Sequence, residues 1–435
     1  MKQIITAKLK LITTPEQKES VRQVTLAYRD ALNYTSEIAF NNNKLSQAAK
    51  LQKLVYRDIR GDFKLPSQMS CNVPRQVAAT YKTQWTKFRQ NQQAREQGHT
   101  KKRYKGLDKP QKFISRTCTL NYQRDYSFKT DQKVSLVTLS GRIVVSYAGY
   151  NKHLELIKNG SKIGAAKIYY NRSSNTYYLL VSLEIELSDI KPETINKVKG
   201  VDVGQRYLAV SAGINNSSQF FSGKQIRYKA NRYYKARKSL QHKGTRSAKR
   251  RLITLSGRER RFIADVNHQI SKNIAQPNSL IGLENLTHIR ERTRSKSGKQ
   301  VSKKQRKANK NKAKWSFAEL HSFVDYKAVL NNSLAVKVPA HYTSQMCPKC
   351  GHVSKENRPN KGLTFNCKCC GYKLHADLVG ARNIALRALL IRQDWMSTGI
   401  LSASPNMSDV EAKAKNLQRF LELRWSLDVS PDQAR

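Results

Sequence analysis

The chain has 435 residues, enough for two to four domains and at least one substantial core. Its 81 Lys and Arg against 30 Asp and Glu leave a net charge of +51, far beyond the roughly 6–10 phosphates that a compact DNA-binding module neutralises. A large polyanion is implied. Nucleic acid is favoured over a membrane surface: no run approaches the roughly 20 apolar residues of a span, and Lys2, Lys8 and Lys10 interrupt any signal-like core.

Residues 3–12 read as a strand with partial alternation. Thr13-Thr14-Pro15-Glu16 supplies an N-cap and a helix-start proline, and Val21, Val24, Leu32 and Ile38 mark a long amphipathic helix. More helix follows through residue 95. There the run Asn72-Val73-Pro74-Arg75-Gln76 is expected to open a helix with Val77, Tyr81, Trp85 and Phe88 as its buried stripe. From about 110 the pattern becomes period-two: Val134–Val137, Arg142–Tyr147, Lys162–Tyr170 and Tyr177–Ile185 predict strands, with Asn171–Asn175 as a hairpin turn. Pairing of the first strand with these would make 13–107 a helical insertion into a β domain formed by 1–12 and 108–197.

A third regime begins at Lys199. A strand ending at Asp202, then Tyr207–Ala212, Phe220-Phe221, a basic helical stretch from Lys224 to Arg261 and a strand Ser279–Leu283 running into Glu284 give the order β-β-β-α-β. Acids at strand ends in that order are the signature of the ribonuclease H-like α/β fold. Residues 290–314 carry a dense Lys/Arg run with Glu291 as its one acid, read as a mobile arm that orders on nucleic acid. In 396–435 acids and bases balance, and this tail is expected to be weakly structured.

Near the C-terminus Cys347-Pro348-Lys349-Cys350 is followed, after the loop 351–366, by Cys367-Lys368-Cys369-Cys370. Two CxxC knuckles at that separation are what a tetrahedral four-cysteine zinc site needs, and a site closed by four thiolates is structural. Cys347, Cys350, Cys367 and Cys370 are the expected ligands, and Cys369 falls out of register. The remaining Cys71 and Cys118 match no pattern, which fits a reducing cytosol better than a disulfide framework.

Asp202, Glu284 and Asp377 each stand at the end of an apolar run. Carboxylates are the hard oxygen ligands that magnesium prefers, and two such ions roughly 3.5–4 Å apart meet the needs of phosphodiester hydrolysis. Each acid also has a bland explanation: Asp377 as the N-cap of a helix over Leu378–Leu390, Glu284 as a surface strand end, and Asp202 with Gly204 as a turn. In combination they suggest a metal-dependent phosphodiesterase acting on nucleic acid.

The motifs Gly200-Val201-Asp202-Val203-Gly204, Asn267–Lys272, Gly282-Leu283-Glu284-Asn285-Leu286, Trp315–Phe317, Asp325–Ala328, Thr343–Gly351 and His375–Ala385 resemble the TnpB family, transposon-encoded RNA-guided DNA endonucleases related to type V CRISPR effectors. The resemblance covers most of 198–390; the N-terminal half matches only in layout. It implies a bilobed α/β plus all-β protein. The N-terminal part would be a wedge-type β-barrel with a helical recognition insertion. The C-terminal part would be an RNase H-like (RuvC) nuclease over 198–340 and 374–395, with a zinc ribbon at 341–373 that binds target nucleic acid. Asp202, Glu284 and Asp377 would hold two Mg²⁺ ions. The implied partners are a guide RNA from the chain's own element, one protein per RNA, and a double-stranded DNA target beside a short flanking motif. The setting would be the prokaryotic cytoplasm. Asn332 stands where the family often has glycine, which puts the local helix end in question.

Other residues carry narrower expectations. Arg382, five residues past Asp377, is placed to reach the scissile phosphate, against a solvated helix arginine as the alternative. Lys355, Arg358 and Lys361 would form a basic edge beside the cleft, and Arg75 and Gln76 would read base edges. Two other functions compete: a DDE-type transposase, marked by strand transfer without RNA, and a non-cleaving DNA-binding repressor, marked by absent nuclease activity in Mg²⁺.

Overall fold

Ala7, Leu9 and Leu11 alternate with Lys8 and Lys10, so the first strand has one apolar face, and that face is buried. The computed structural model describes residues 2–98, 100–204, 206–286, 316–359, 362–401 and 418–425. These fall into two compact units divided at Glu186/Leu187. The first unit contains β1 (Lys2–Ile12), α1 (Pro15–Asn41), α2 (Ala48–Gly61), α3 (Ser67–Glu96), β2 (Thr117–Leu120), β3 (Tyr126–Lys129), β4 (Lys133–Thr138), β5 (Gly141–Ala148), α4 (Asn151–Lys158), β6 (Lys162–Asn171) and β7 (Thr176–Glu186).

Its strands form one antiparallel, nearly closed sheet in the order β2-β6-β7-β1-β5-β4-β3. The N-terminal strand thus lies in the middle, with the three helices inserted in sequence between it and β2. Thr14 and Gln17 close a reciprocal capping box at the start of α1. Val21, Tyr28 and Leu32 of α1, Leu51, Val55 and Ile59 of α2 and Val77 and Tyr81 of α3 share one core with Leu9, Leu120, Leu179 and Leu183 of the sheet. The α3 helix starts five residues before the expected opening at Asn72, and Pro74 lies in its interior. Pro74 lacks the N–H that would otherwise donate to the Ser70 carbonyl one turn back.

The second unit contains β8 (Lys197–Asp202), β9 (Tyr207–Gly213), β10 (Ser218–Ser222), α5 (Lys224–Lys243), α6 (Arg246–Ile274), β11 (Ser279–Glu284), α7 (Phe317–Leu330), β12 (Leu334–Val338), β13 (Thr364–Asn366), β14 (Lys373–His375) and α8 (Ala376–Thr398). Five strands form a mixed sheet, β10-β9-β8-β11-β12, in which β8, β11 and β12 run parallel. The central strands β8 and β11 are buried almost throughout, as parallel strands covered on both faces require. On one face Ile270, Ile274, Leu320 and Val324 of α6 and α7 pack on Val201, Ile281 and Leu283. On the other lies α8, with Ile384 and Ala388 against Val198 and Leu280. Gly200 makes that close approach possible: a Cβ there would collide with the backbone of Ala381 and Ala385.

Several local expectations change. The basic stretch expected as one helix is two, because Gly244 takes a left-handed φ of 65° and Thr245 caps α6 through the amide of Ala248. Asn332 holds φ at 51°, a left-handed conformation that asparagine tolerates, so the helix end forms without glycine. Residues 418–425 correct the expectation of a weakly structured tail. They form a helical turn with Phe420 and Trp425 only 5% and 6% exposed, because those rings have apolar surface to bury. The rest of that tail beyond residue 401, and the basic arm 290–314, lie outside the described residues. Among the described residues no helix is long and apolar enough to cross a membrane.

Candidate active site

Parallel pairing of β8 with β11 brings their C-terminal ends side by side, and with them Asp202 and Glu284. The first turn of α8 carries Asp377 to the same place. All three acids line one cavity of about 630 Å³, together with Arg206, Thr343, Ser344, Arg358 and Gly380. Gly380 admits the Asp202 carboxylate to the helix surface, since a Cβ there would stand 3.0 Å from Asp202 Oδ2. The N-cap of α8 is His375, whose Nδ1 accepts from the Asp377 amide at 3.3 Å. Asp377 is therefore inside the helix and not its cap, and its side chain faces the cavity.

Each acid has a different neighbour. Thr343 Oγ1 donates to Glu284 Oε1 at 2.6 Å. Arg358 Nη2 lies 3.3 Å from Asp377 Oδ1. Burial pushes the Asp202 carboxyl well above the usual range, and the charges of Glu284 and Asp377 push it further; Arg358 offsets part of this. Burial also raises Glu284, against the Thr343 hydroxyl and the Arg387 guanidinium. A half-buried, like-charged set of hard oxygens has donor chemistry that fits a cation such as magnesium.

The raised acids have a consequence for stability. The folded protein binds these protons more tightly than the unfolded chain, so metal-free stability is lost as pH rises from about 4 through the raised native values. Asp202→Asn is expected to melt higher than the unmodified protein in EDTA at pH 8, with the difference vanishing near pH 4. Relief of about 1 kcal/mol corresponds to roughly 2–4 °C. Thermal melts across that pH range test this, and a lower melting temperature for the variant at pH 8 would show that the acids are already compensated.

The other expected contacts divide. Arg358 lines the cavity, Lys355 is exposed, and Lys361 lies outside the described residues. Arg382 does not line the cavity. Its guanidinium hydrogen-bonds the Tyr372 hydroxyl and stacks 4.9 Å from the Trp425 ring. Five residues of α-helix rotate a side chain about 140° from Asp377, which turns it away from the site. In the first unit Arg75 is exposed on α3, but Gln76 turns inward, its carbonyl accepting from Tyr28 and Thr119 hydroxyls at 3.3 Å each. Sequence reasoning missed Arg206, Thr343, Asn383 and Arg387. The last three share a signal, a polar residue within an apolar or motif-bearing run.

Cys347, Cys350, Cys367 and Cys370 place their sulfurs within 4.8 Å of one another, and among the described residues they form the tightest ligand cluster. Such a cluster could hold a structural metal such as zinc. Cys369 is exposed and outside it. Cys347, Cys367 and Phe365 pack on Ala376 and Val379, so the ribbon is seated on the start of α8.

Comparison with known proteins bears on this arrangement. Residues 181–292 match the family model described as "Probable transposase", and 317–384 match that of the "Cas12f1-like, TNB domain". The chain is 24% identical to a CRISPR-associated endodeoxyribonuclease Cas12f1 of Sulfoacidibacillus thermotolerans, over 63% of this chain and 64% of that one. It is 25% identical to InsQ of Escherichia coli (strain K12), whose name proposes an RNA-guided DNA endonuclease, over 59% of this chain and 65% of that one. A TnpB-like protein of Methanocaldococcus jannaschii is 27% identical over 45% of this chain and 70% of that one. The chain is thus similar to TnpB-like and Cas12f1 proteins. It spans just under two thirds of the length of the first two of these proteins. Its fold is also similar to that of the mini-RNA-guided endonuclease CRISPR-Cas_phi3, at a TM-score of 0.50 and 11% identity, with 93% of each chain covered.

Proposed function

We propose that the chain is an RNA-guided, Mg²⁺-dependent DNA endonuclease of a mobile element, working through a single RuvC-like site. The observation that carries this reading is the convergence of Asp202, Glu284 and Asp377 on one cavity that Arg206 and Arg358 also line. The strand order β10-β9-β8-β11-β12, with its three parallel and two antiparallel members, supports an RNase H-like nuclease. The names of the relatives support RNA guidance and DNA cleavage.

Magnesium held by the three acids would supply an activated water and neutralise the departing oxyanion. The chain's own residues do the rest. Arg206 and Arg358 attract and orient the phosphodiester by charge-assisted hydrogen bonds. Arg358 must leave Asp377 to do so, and in leaving frees a carboxylate oxygen for a metal. Thr343 fixes the rotamer of Glu284, and Gly380 leaves room for the Asp202 carboxylate. Zinc on the four cysteines would hold the ribbon, and with it Arg358, beside the acids.

The target is chosen by base pairing with a guide RNA, one RNA to one protein, and both DNA strands pass through the one site. The nearly closed sheet and helices of the first unit are the wedge-type barrel and recognition insertion, and Arg75 is a contact to the flanking DNA duplex. With a net charge of +51, the protein is expected to purify as a ribonucleoprotein holding one defined RNA, in the cytoplasm of a prokaryote. Cleavage of a matched plasmid in Mg²⁺ should stop after ribonuclease treatment and in EDTA. Cutting that survives ribonuclease, or strand-transfer products formed without RNA, would favour a transposase. Binding with no cutting under any condition would favour a repressor.

A further inference from the structure

We propose that residues 418–425 form a clamp behind the site: they seal Arg387, a positioning residue that with Asn383 holds the segment 339–346 on which Glu284 depends. The catalytic consequence rests on the nuclease reading; the clamp itself rests on geometry.

Asn383 and Arg387 are four apart on α8 and share one face. Both are fully buried. Arg387 donates to the carbonyls of Pro339 and, at 2.6 Å, His341. Asn383 Nδ2 donates to the carbonyls of Thr343 at 2.7 Å and Met346 at 2.8 Å. Beyond a hydrogen-bonded turn at Tyr342–Met346 and the bridge of Met346 to Val353, the segment 339–346 has no ladder or helix, so these two side chains supply donors to its carbonyls of Pro339, His341, Thr343 and Met346. Between them stand Ala340, Thr343 and Ser344, which line the cavity, and the Thr343 hydroxyl that holds Glu284.

The two Nη groups of Arg387 are hydrogen-bonded while its buried Nε has no partner, so cover over the guanidinium face matters the more. The Phe420 ring covers it, 4.8 Å from the Arg387 Cζ. Phe420 is fixed from both sides. Arg419 makes a two-pronged ion pair with Asp394 of α8, at 2.6 and 2.9 Å. Trp425 donates its backbone N–H to Pro348 of the first cysteine knuckle at 2.7 Å and its indole N–H to Asn216 Oδ1 at 2.8 Å, with Arg382 over its ring. The clamp thus spans the end of α8, the turn between β9 and β10, and the ribbon.

Phe420→Leu keeps apolar volume and removes the π face; Phe420→Tyr keeps the ring. In the full-length, zinc-loaded protein, Phe420→Leu is expected to speed hydrogen exchange at the amides of 340–346 by about tenfold, between the sizes of an exposed and a desolvated cation–π contact. Exchange in β8 and β11 and the zinc content should not change. Single-turnover cleavage should fall about as much at low Mg²⁺ and recover as Mg²⁺ is raised, because a loosened Glu284 weakens metal capture. Phe420→Tyr should restore both. Uniformly faster exchange, unchanged exchange at 340–346, or loosening there with cleavage unaltered at every Mg²⁺ concentration overturns the clamp. If the unmodified ribonucleoprotein never cuts, the nuclease reading fails, while the exchange comparison still decides whether 418–425 holds the segment.

Discussion

Alanine at Asp202, Glu284 or Asp377 is expected to abolish DNA cleavage while leaving RNA-directed DNA binding close to that of the unmodified protein. The loss should be at least about 10³-fold for each, as when a group acting directly on transition-state charge is removed. Binding survives because affinity comes from phosphate contacts spread over a chain of net charge +51, against which one lost carboxylate is small. The three effects should also fail to add, since any one deletion already breaks the shared site. Paired cleavage and binding assays on the same preparations measure both halves. A fully active Asp377→Ala protein would remove the third acid from the site and leave its place in the cavity without a role.

The second large effect belongs to the cysteines. Serine at Cys347 or Cys367 is expected to release the metal and unfold the ribbon, because a structural zinc site contributes about 10–16 kcal/mol to the folding of the segment that holds it. Activity should fall with it for a definite reason. Arg358 reaches Asp377 from the segment between the two knuckles, and Cys347, Phe365 and Cys367 rest on the start of α8. Cys369→Ser should retain both metal and activity, since its thiol is exposed and outside the cluster. Zinc content measured beside cleavage checks this. Loss of metal from Cys369→Ser with retention in Cys370→Ser would reverse the choice of ligands.

The parts of this molecule that were legible in the sequence share a physical property: their constraint is local. A CxxC turn and an apolar strand ending in an acid each declare themselves within a few residues. The alternation in β1 and β7 was equally plain. What escaped depends on contacts distant in the chain. The strands β2 and β3 are four residues each, too short for a period to show, and form because the sheet continues past its longer members. Pro74 reads as a helix start, yet tertiary packing carries α3 through it. Among the arginines, Arg358 and Arg382 looked alike in sequence. The structure separates them, since a loop can fold back onto the cavity whereas a helix fixes the direction of each side chain. Thr343, Asn383 and Arg387 stood in apolar or motif-bearing runs, but their roles became clear only with their partners, because the partners of a buried polar side chain lie elsewhere in the chain.

RNA guidance is tested most directly by moving the cut. The ribonucleoprotein is assembled on its copurifying RNA with the 3′ segment replaced by a new sequence, and offered a plasmid carrying both the old and the new matches beside the same flanking motif. In Mg²⁺ the break should appear at the new match and disappear from the old. A break that stays at the old site, or that forms at neither match while the protein still degrades DNA, would contradict RNA-guided cleavage.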